Sequence, residues 1–465
     1  MHSLKSSDIV FSNLLLIGIF IVSVALFLID GRWIQLQSLL LGINFFILFK
    51  LYFQSKIKTL SFIFCFVSML PFIHLIFYFN FNFDKSYSIL WGLAANKYMY
   101  DKHLISILLN IANVWSSVAL LSSQTKDLYI ENIKVNNIVL RKEIFWFFAL
   151  FATFIAWISA PSETLFQSAY MGSSANLEIN VSSLWTLGYI LVVAIFISAS
   201  EKFQNYKLLV YVLIAYITVY LGLLRGDRES LTLIIALLFF SYIYKKSLYH
   251  KKIIKPNGRL ILSLLVIVIV INGVIGGLRS SIIDETTELA SFYNDFQASN
   301  LLHGTWSAVL LTPLSVVYDL HVVNSDYRLG ADYVDLILSL PPGFFSEAIG
   351  YDRPWSSTGG PATEMVFGLG GTHITVLPFR NFGIYGVIFY AIFLSRAIKL
   401  VEIRAHSNPS IFMMTIYISL FMIIPHWLWY GEKYVVNHLI FLILLYPVFK
   451  IYEKNKLNSR YTNNS

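Results

Sequence analysis

The chain has 465 residues, of which 57% are hydrophobic and only 13% charged, and its formal net charge is +8. That composition excludes a soluble globule. With repeated apolar runs of roughly 20 residues it predicts an all-α, polytopic membrane protein. The positive balance reads as orientation and contact with anionic lipid, not as nucleic-acid binding.

The first apolar stretch starts near Ile9, after a single early Lys5. It is too long for a cleaved signal peptide and is read as the first membrane helix. Further spans are predicted near 34–53, 60–79, 104–122, 144–160, 183–200, 208–224, 231–244, 260–278, 381–400, 410–428 and 437–452. This makes about twelve crossings in one membrane domain, 1–465, with no internal repeat and no soluble domain of its own. The only cysteine, Cys65, falls inside the third span, so no disulfide framework or Cys-based metal site is expected.

The connecting segments sort into two sets. One set holds 23 of the 34 Lys and Arg residues, 18 of them Lys. By the positive-inside rule that set is cytoplasmic, which puts both termini inside. The run from Lys245 to Arg259 is its strongest mark. The other set holds only 11 cations, yet 7 are Arg: Arg32, Arg225, Arg228, Arg279, Arg328, Arg353 and Arg380. Arg offers a planar fork that grips phosphate oxygens bidentately and keeps its charge when partly desolvated. An anionic, phosphorylated substrate handled outside the cytoplasm is therefore expected.

One outer segment, 279–373, is far longer than the other loops, and such loops are usually functional. Within it Trp306 to Val323 is apolar enough to be mistaken for a span, but it carries Pro313 and Asp319. If it crossed, every later loop would change sides against the charge rule, so an interfacial or re-entrant helix is expected. Asp332 to Leu340 is expected to form a second interfacial helix, ended by Pro341-Pro342-Gly343. The stretch Ser356 to Pro361 reads as a flexible turn.

Three places carry candidate chemistry. Leu224-Arg225-Gly226-Asp227-Arg228-Glu229-Ser230 is a tight outer turn with four charges in five residues. Such charges need one another or a ligand, and the helix that follows points free N–H groups outward, toward an anion. The plainer alternative is a self-paired charged cap. Gly276-Gly277-Leu278-Arg279 permits close helix approach and could bring Arg279 to Arg225 and Arg228, or Arg279 simply snorkels to the interface. The third is Tyr351-Asp352-Arg353-Pro354-Trp355, followed by Glu364 and by Gly368 to His373. Its glycines let backbone approach a ligand. A lone His is more often a polar core residue than a catalyst; His373 is singled out by its company of Arg353, Asp352 and Glu364. The Gly run is not a P-loop, because no Lys-Ser/Thr follows. No Asp-x-Asp, no adjacent acidic pair in the cytoplasmic loops and no His-x-x-x-His or Cys pair is present, so metal-free chemistry without a cofactor is expected.

With these residues the chain resembles the O-antigen polymerase (Wzy) family, the oligosaccharide repeat unit polymerases. The resemblance rests on span number, the long late outer loop and the turn Arg225-Gly226-Asp227-Arg228-Glu229. It rests also on Leu340-Pro341-Pro342-Gly343-Phe344 to Asp352-Arg353-Pro354, and on a Gly-rich segment feeding Asn381-Phe382-Gly383-Ile384-Tyr385-Gly386. Related O-antigen ligases carry a His, a polar residue, a spacer and Gly-x-x-Gly; here Ile374 follows His373 and the spacer is one residue shorter.

The resemblance implies a glycosyltransferase-C-like architecture in a bacterial inner membrane. It implies polymerisation of undecaprenyl-pyrophosphate-linked repeat units on the outer leaflet, into O-antigen or a related surface polysaccharide. A chain-length regulator and a flippase would be partners. Arg225, Arg228, Arg279 and Arg353 would hold the pyrophosphate, whose developing charge needs fixed cations. His373, Glu364 and Asp352 would be the candidate bases for the acceptor hydroxyl. Competing readings are an O-antigen ligase, a flippase or transporter, a transferase using a polyprenyl-phosphate sugar with Asp30 as base, and a non-catalytic assembly protein.

Overall fold

The computed structural model describes residues 6–29, 32–54, 57–73, 75–76, 101–125, 309–339, 350 and 373–407, with scattered positions between 412 and 450. Every regular element among them is helical. In chain order these are α1 (Ser6–Leu28), α2 (Ile34–Phe53), α3 (Thr59–Met69), α4 (Lys102–Ser123), α5 (Leu311–His321), α6 (Ala331–Ser339) and α7 (Val376–Ser407). Four of them, α1, α2, α4 and α7, are long and apolar enough to cross a membrane. They match the first, second, fourth and tenth predicted spans, so the chain is a multi-pass helical membrane protein.

Local sequence explains the helix ends. Asp101 caps α4 by accepting from the backbone N–H groups of His103 at 2.9 Å and Leu104 at 3.1 Å. Pro71 sits in a short 3-10 turn, Leu70–Phe72, that closes α3. α3 has no cap of its own. Glu402 supplies one from the far end of α7, accepting from Leu60 N at 2.8 Å, Ser61 N at 3.1 Å and Ser61 Oγ at 2.8 Å. A carboxylate there also meets the positive end of the helix dipole.

α4 is the core helix, with 94% of its apolar window buried, against 28% for α1. Its polar residues bond to neighbouring helices, as polar side chains do within a membrane bundle. Gln37 donates to Ser106 at 2.8 Å, Asn44 to Ser116 at 2.7 Å, and Trp115 to Ser68 Oγ at 3.1 Å.

These pairs also fix direction. Gln37 meets Ser106 and Asn44 meets Ser116, so α2 and α4 run parallel. Cys65 meets Ser123 while Ser68 meets Trp115, so α3 runs against α4. Gln124 bonds Asn13 at 2.6 Å, whereas Phe27 and His103 both pack on His321, so α1 also opposes α4. Glu402 meets Leu60 while His373 meets Ser68, which sets α7 against α3 and hence along α4. Among the described helices, α1 and α3 therefore run one way and α2, α4 and α7 the other. One end gathers Lys50, Lys58, Arg396, Lys399 and Arg404; the other gathers Arg32, Lys102, Arg328 and Arg380.

α5 is 11 residues long. At 1.5 Å per residue it spans about 16 Å, half a bilayer core. α6 is shorter still, at 9 residues. It shows Val334 and Ile337 outward and buries Leu336 against Leu377.

The chain divides into two compact units. The first comprises Met1–Tyr129, Gln297–Glu402 and Ile423–Val435, and it contains the packing described above. The second comprises Ile130–Phe296, Ile403–Met422 and Val436–Ser465. In it His406 packs edge-on against Tyr417 at 5.2 Å, and Phe412 against Tyr446 at 4.7 Å.

Candidate functional site

α7 is broken near its start. Phe382 (φ −136°, ψ 15°) and Gly383 (φ 59°, ψ −147°) leave helical geometry, and the helix resumes after them. A side chain is strained at the Gly383 backbone angles. At Gly386 a Cβ would lie 2.2 Å from the Pro378 carbonyl oxygen, so this position admits only glycine in the observed packing. The Asn-Phe-Gly-x-x-Gly pattern is thus the sequence of a kink.

A kink frees carbonyl groups that the next turn would have used, and buried ones need other donors. Arg328 N donates to Arg380 O at 3.1 Å and Leu329 N to Asn381 O at 3.2 Å. The segment before α6 therefore zips onto the break. It turns through Leu329 (φ 47°) and Gly330 (φ 97°) into α6.

The Asn381 side chain completes the joint. It is fully buried. Its Nδ2 donates to Asp332 Oδ2 at 3.0 Å and to Leu377 O at 2.8 Å, and its Oδ1 accepts from Gly330 N at 2.9 Å. The other Asp332 oxygen faces two arginines: Arg328 Nε at 3.3 Å and Arg380 Nη1 at 3.8 Å. Arg328 Nη2 also reaches Asp335 Oδ2 at 3.5 Å. Asp332 is 3% exposed, Arg380 11% and Arg328 46%. A buried carboxylate thus holds two guanidinium groups at one end of the bundle. The half-exposed Arg328 has five N–H donors, and its ion pairs engage only Nε and Nη2. An anion can add to such a fixed fork without ordering a free side chain.

His373 lies three residues before α7 and is fully buried. Nε2 is 2.7 Å from the Ser68 carbonyl oxygen, which can only accept, so Nε2 carries the proton. Nδ1 then accepts from Thr375 Oγ1 at 2.7 Å and Thr375 N at 3.3 Å. Phe72 packs edge-on at 5.1 Å. Burial pushes the ring down to about 4, against the opposing effect of the Ser68 bond. His373 is therefore a neutral peg between the start of α7 and the end of α3. The expected base needs an open ring nitrogen, and neither nitrogen is open here. His321, in the segment expected to be an interfacial or re-entrant helix, stacks on Phe379 at 6.2 Å.

The other expected site residues, Arg225, Arg228, Arg279, Asp352, Arg353 and Glu364, lie outside the described residues. Among the described residues no group of three His, Cys, Asp or Glu side chains is placed to hold a metal ion. Sequence reasoning counted Arg328 and Arg380 among the outer arginines but gave them no task. It named Asp332 and Asn381 only as parts of a helix and a motif, and did not single out Glu432. The signal for the first two was the spacing of Asp332 and Asp335 beside Arg328, and the Asn just ahead of a Gly-x-x-Gly pattern. Glu432, between the last two predicted spans, is 3% exposed, and among the described residues neither carboxylate oxygen has a hydrogen-bond partner. No protein-family model, curated protein or solved structure matches the chain.

Proposed function

We propose that the chain is a glycosyltransferase of the outer membrane face that polymerises lipid-linked oligosaccharide repeat units. The donor is a glycan on undecaprenyl pyrophosphate and the acceptor a single lipid-linked unit. The membrane is the bacterial inner membrane, with both termini cytoplasmic and the segment 279–373 outside. The observation that carries the reading is the Arg328–Asp332–Arg380 constellation. It is a pair of pre-positioned guanidinium groups, charge-balanced by Asp332 and Asp335, of which the half-exposed Arg328 would meet the charge that a pyrophosphate leaving group gains. Arg225, Arg228, Arg279 and Arg353 are the further candidate ligands of the pyrophosphate in this reading, and Asp352 and Glu364 are candidate bases for the acceptor hydroxyl. His373 serves by holding the loop's end against α3.

A strain lacking the chain tests this. Its surface polysaccharide should lose long chains and retain one repeat unit on the carrier or core lipid. Loss of every repeat-bearing product would instead indicate a ligase or a flippase, and an unchanged polysaccharide would refute the reading.

A further inference from the structure

Most buried charge in the first unit is compensated. Asp332 has two arginines and an amide, and Glu402 has three donors. Glu432 is the exception among the described carboxylates. It follows Gly431, whose φ of 64° turns the chain. Its own backbone N–H and the Trp427 indole lie close enough to favour the charged form, but neither makes a hydrogen bond of full geometry to a carboxylate oxygen. The indole N–H is itself buried without a partner. Trp427 packs on Phe64 at 6.5 Å, Phe64 on Trp115 at 6.1 Å and Trp115 on Tyr390 at 6.3 Å, so the indole belongs to a chain of aromatic rings. From α6, Asp332 and Tyr333 face it electrostatically, and Tyr390 does so from α7. Asp332 is the residue that holds Arg328 and Arg380. The acid therefore lies within electrostatic range of the carboxylate that holds the two arginines.

A buried carboxylate with both oxygens unmet is costly in a stable fold, and such groups gather where a reacting ligand completes them. We infer that Glu432 is the general base of the transfer, accepting the proton of the acceptor sugar hydroxyl. This rests on the glycosyl-transfer reading above. In the step, the hydroxyl O–H bond breaks and its proton goes to a Glu432 oxygen. The hydroxyl oxygen bonds to the donor's anomeric carbon. The bond from that carbon to the pyrophosphate breaks, and its electron pair leaves on the pyrophosphate oxygen beside the arginines. Glu432 later returns the proton to water.

Burial lifts the Glu432 acid to about 8; its backbone N–H and Trp427 oppose this, and the Asp332 charge adds to it. The basic form then dominates only above that value. Purified protein in nanodiscs, given a lipid-linked repeat unit, should show kcat rising with pH through about 8 and levelling above it. Asp352 or Glu364 as base would bring the plateau down to about pH 5. Glu432→Gln should lower kcat on the order of 100-fold or more while leaving retention of the lipid-linked donor unchanged. Added formate should restore part of the activity of Glu432→Ala, which a structural role would not allow. A flat wild-type profile between pH 6 and 9 overturns the proposal even if the variants fail to fold. So does a Glu432→Gln enzyme with wild-type kcat. If wild-type protein elongates nothing, the glycosyl-transfer reading falls and this proposal with it. Elongation by a fully active Glu432→Gln enzyme removes the base alone.

Discussion

Replacing Asn381 by Ala should open the joint between α6 and the kink of α7. The amide bridges the buried Asp332 carboxylate at 3.0 Å, the Gly330 N–H at 2.9 Å and the Leu377 carbonyl at 2.8 Å. A bond to a charged group contributes about 1.5–3 kcal/mol and a neutral one about 0.5–1.5 kcal/mol, and burial adds the cost of groups left unmet. The sum is on the order of 3 kcal/mol. If that cost is spent locally, the joint opens more often by roughly 100-fold, since about 1.4 kcal/mol is a factor of ten. Amide hydrogen exchange of purified protein reads this directly: N–H groups from Arg328 to Val334 should exchange about that much faster in Asn381→Ala. Exchange across α4, the buried core helix, should hardly change. Asn381→Asp sets a second carboxylate against Asp332 Oδ2 and should be worse than Ala as pH rises. Unchanged exchange at Arg328–Val334 in the Ala variant would refute the account of Asn381 as the clasp.

The kink and the fork make separate forecasts. Gly386→Ala should reduce thermal stability by about 1–3 kcal/mol or block folding, because its Cβ would sit 2.2 Å from Pro378 O; Gly42→Ala, with open space around it, should be tolerated. Melting curves of fluorescent fusions on size exclusion would expose an error if the two variants matched. Arg328→Lys keeps the charge but loses the fork, so elongation by purified protein should fall about as far as in Arg328→Ala. A fully active Lys variant would remove Arg328 from pyrophosphate binding.

How much of this was legible in the sequence depends on the range of the cause. Span positions follow from runs of neighbouring apolar residues, and α1, α2, α4 and α7 lie where those runs predict. The short α5 and α6 follow from Pro313, Asp319 and the loop charge balance. The glycines of the Asn381 to Gly386 stretch were visible as a pattern, but that Gly386 makes room for Pro378 O is a fact of backbone packing. The longest-range features left no trace. Glu402 caps a helix 342 positions away, and His373 bonds a carbonyl 305 positions away. A histidine beside Asp, Glu and Arg in sequence reads as catalytic chemistry until its two nitrogens are seen to be occupied.

That contrast sharpens what a buried polar group means in this fold. His373 and Glu432 are almost equally buried, at 0% and 3% exposure. Burial alone would rank them together as functional candidates. Their partners separate them. His373 has a donor and an acceptor matched to its neutral tautomer, so its environment already satisfies the form it holds. Such a group stabilises the fold and has nothing left to offer a substrate. Glu432 has neither oxygen matched, so no form of it is fully satisfied until a donor or a proton arrives. The cost of leaving it so falls on the same end of the bundle where Asp332 and Asn381 hold the arginines rigid. In the proposed transfer from a pyrophosphate the two parts would divide the labour: the held guanidinium groups would steady the departing charge, and the unmet acid would take up the incoming proton.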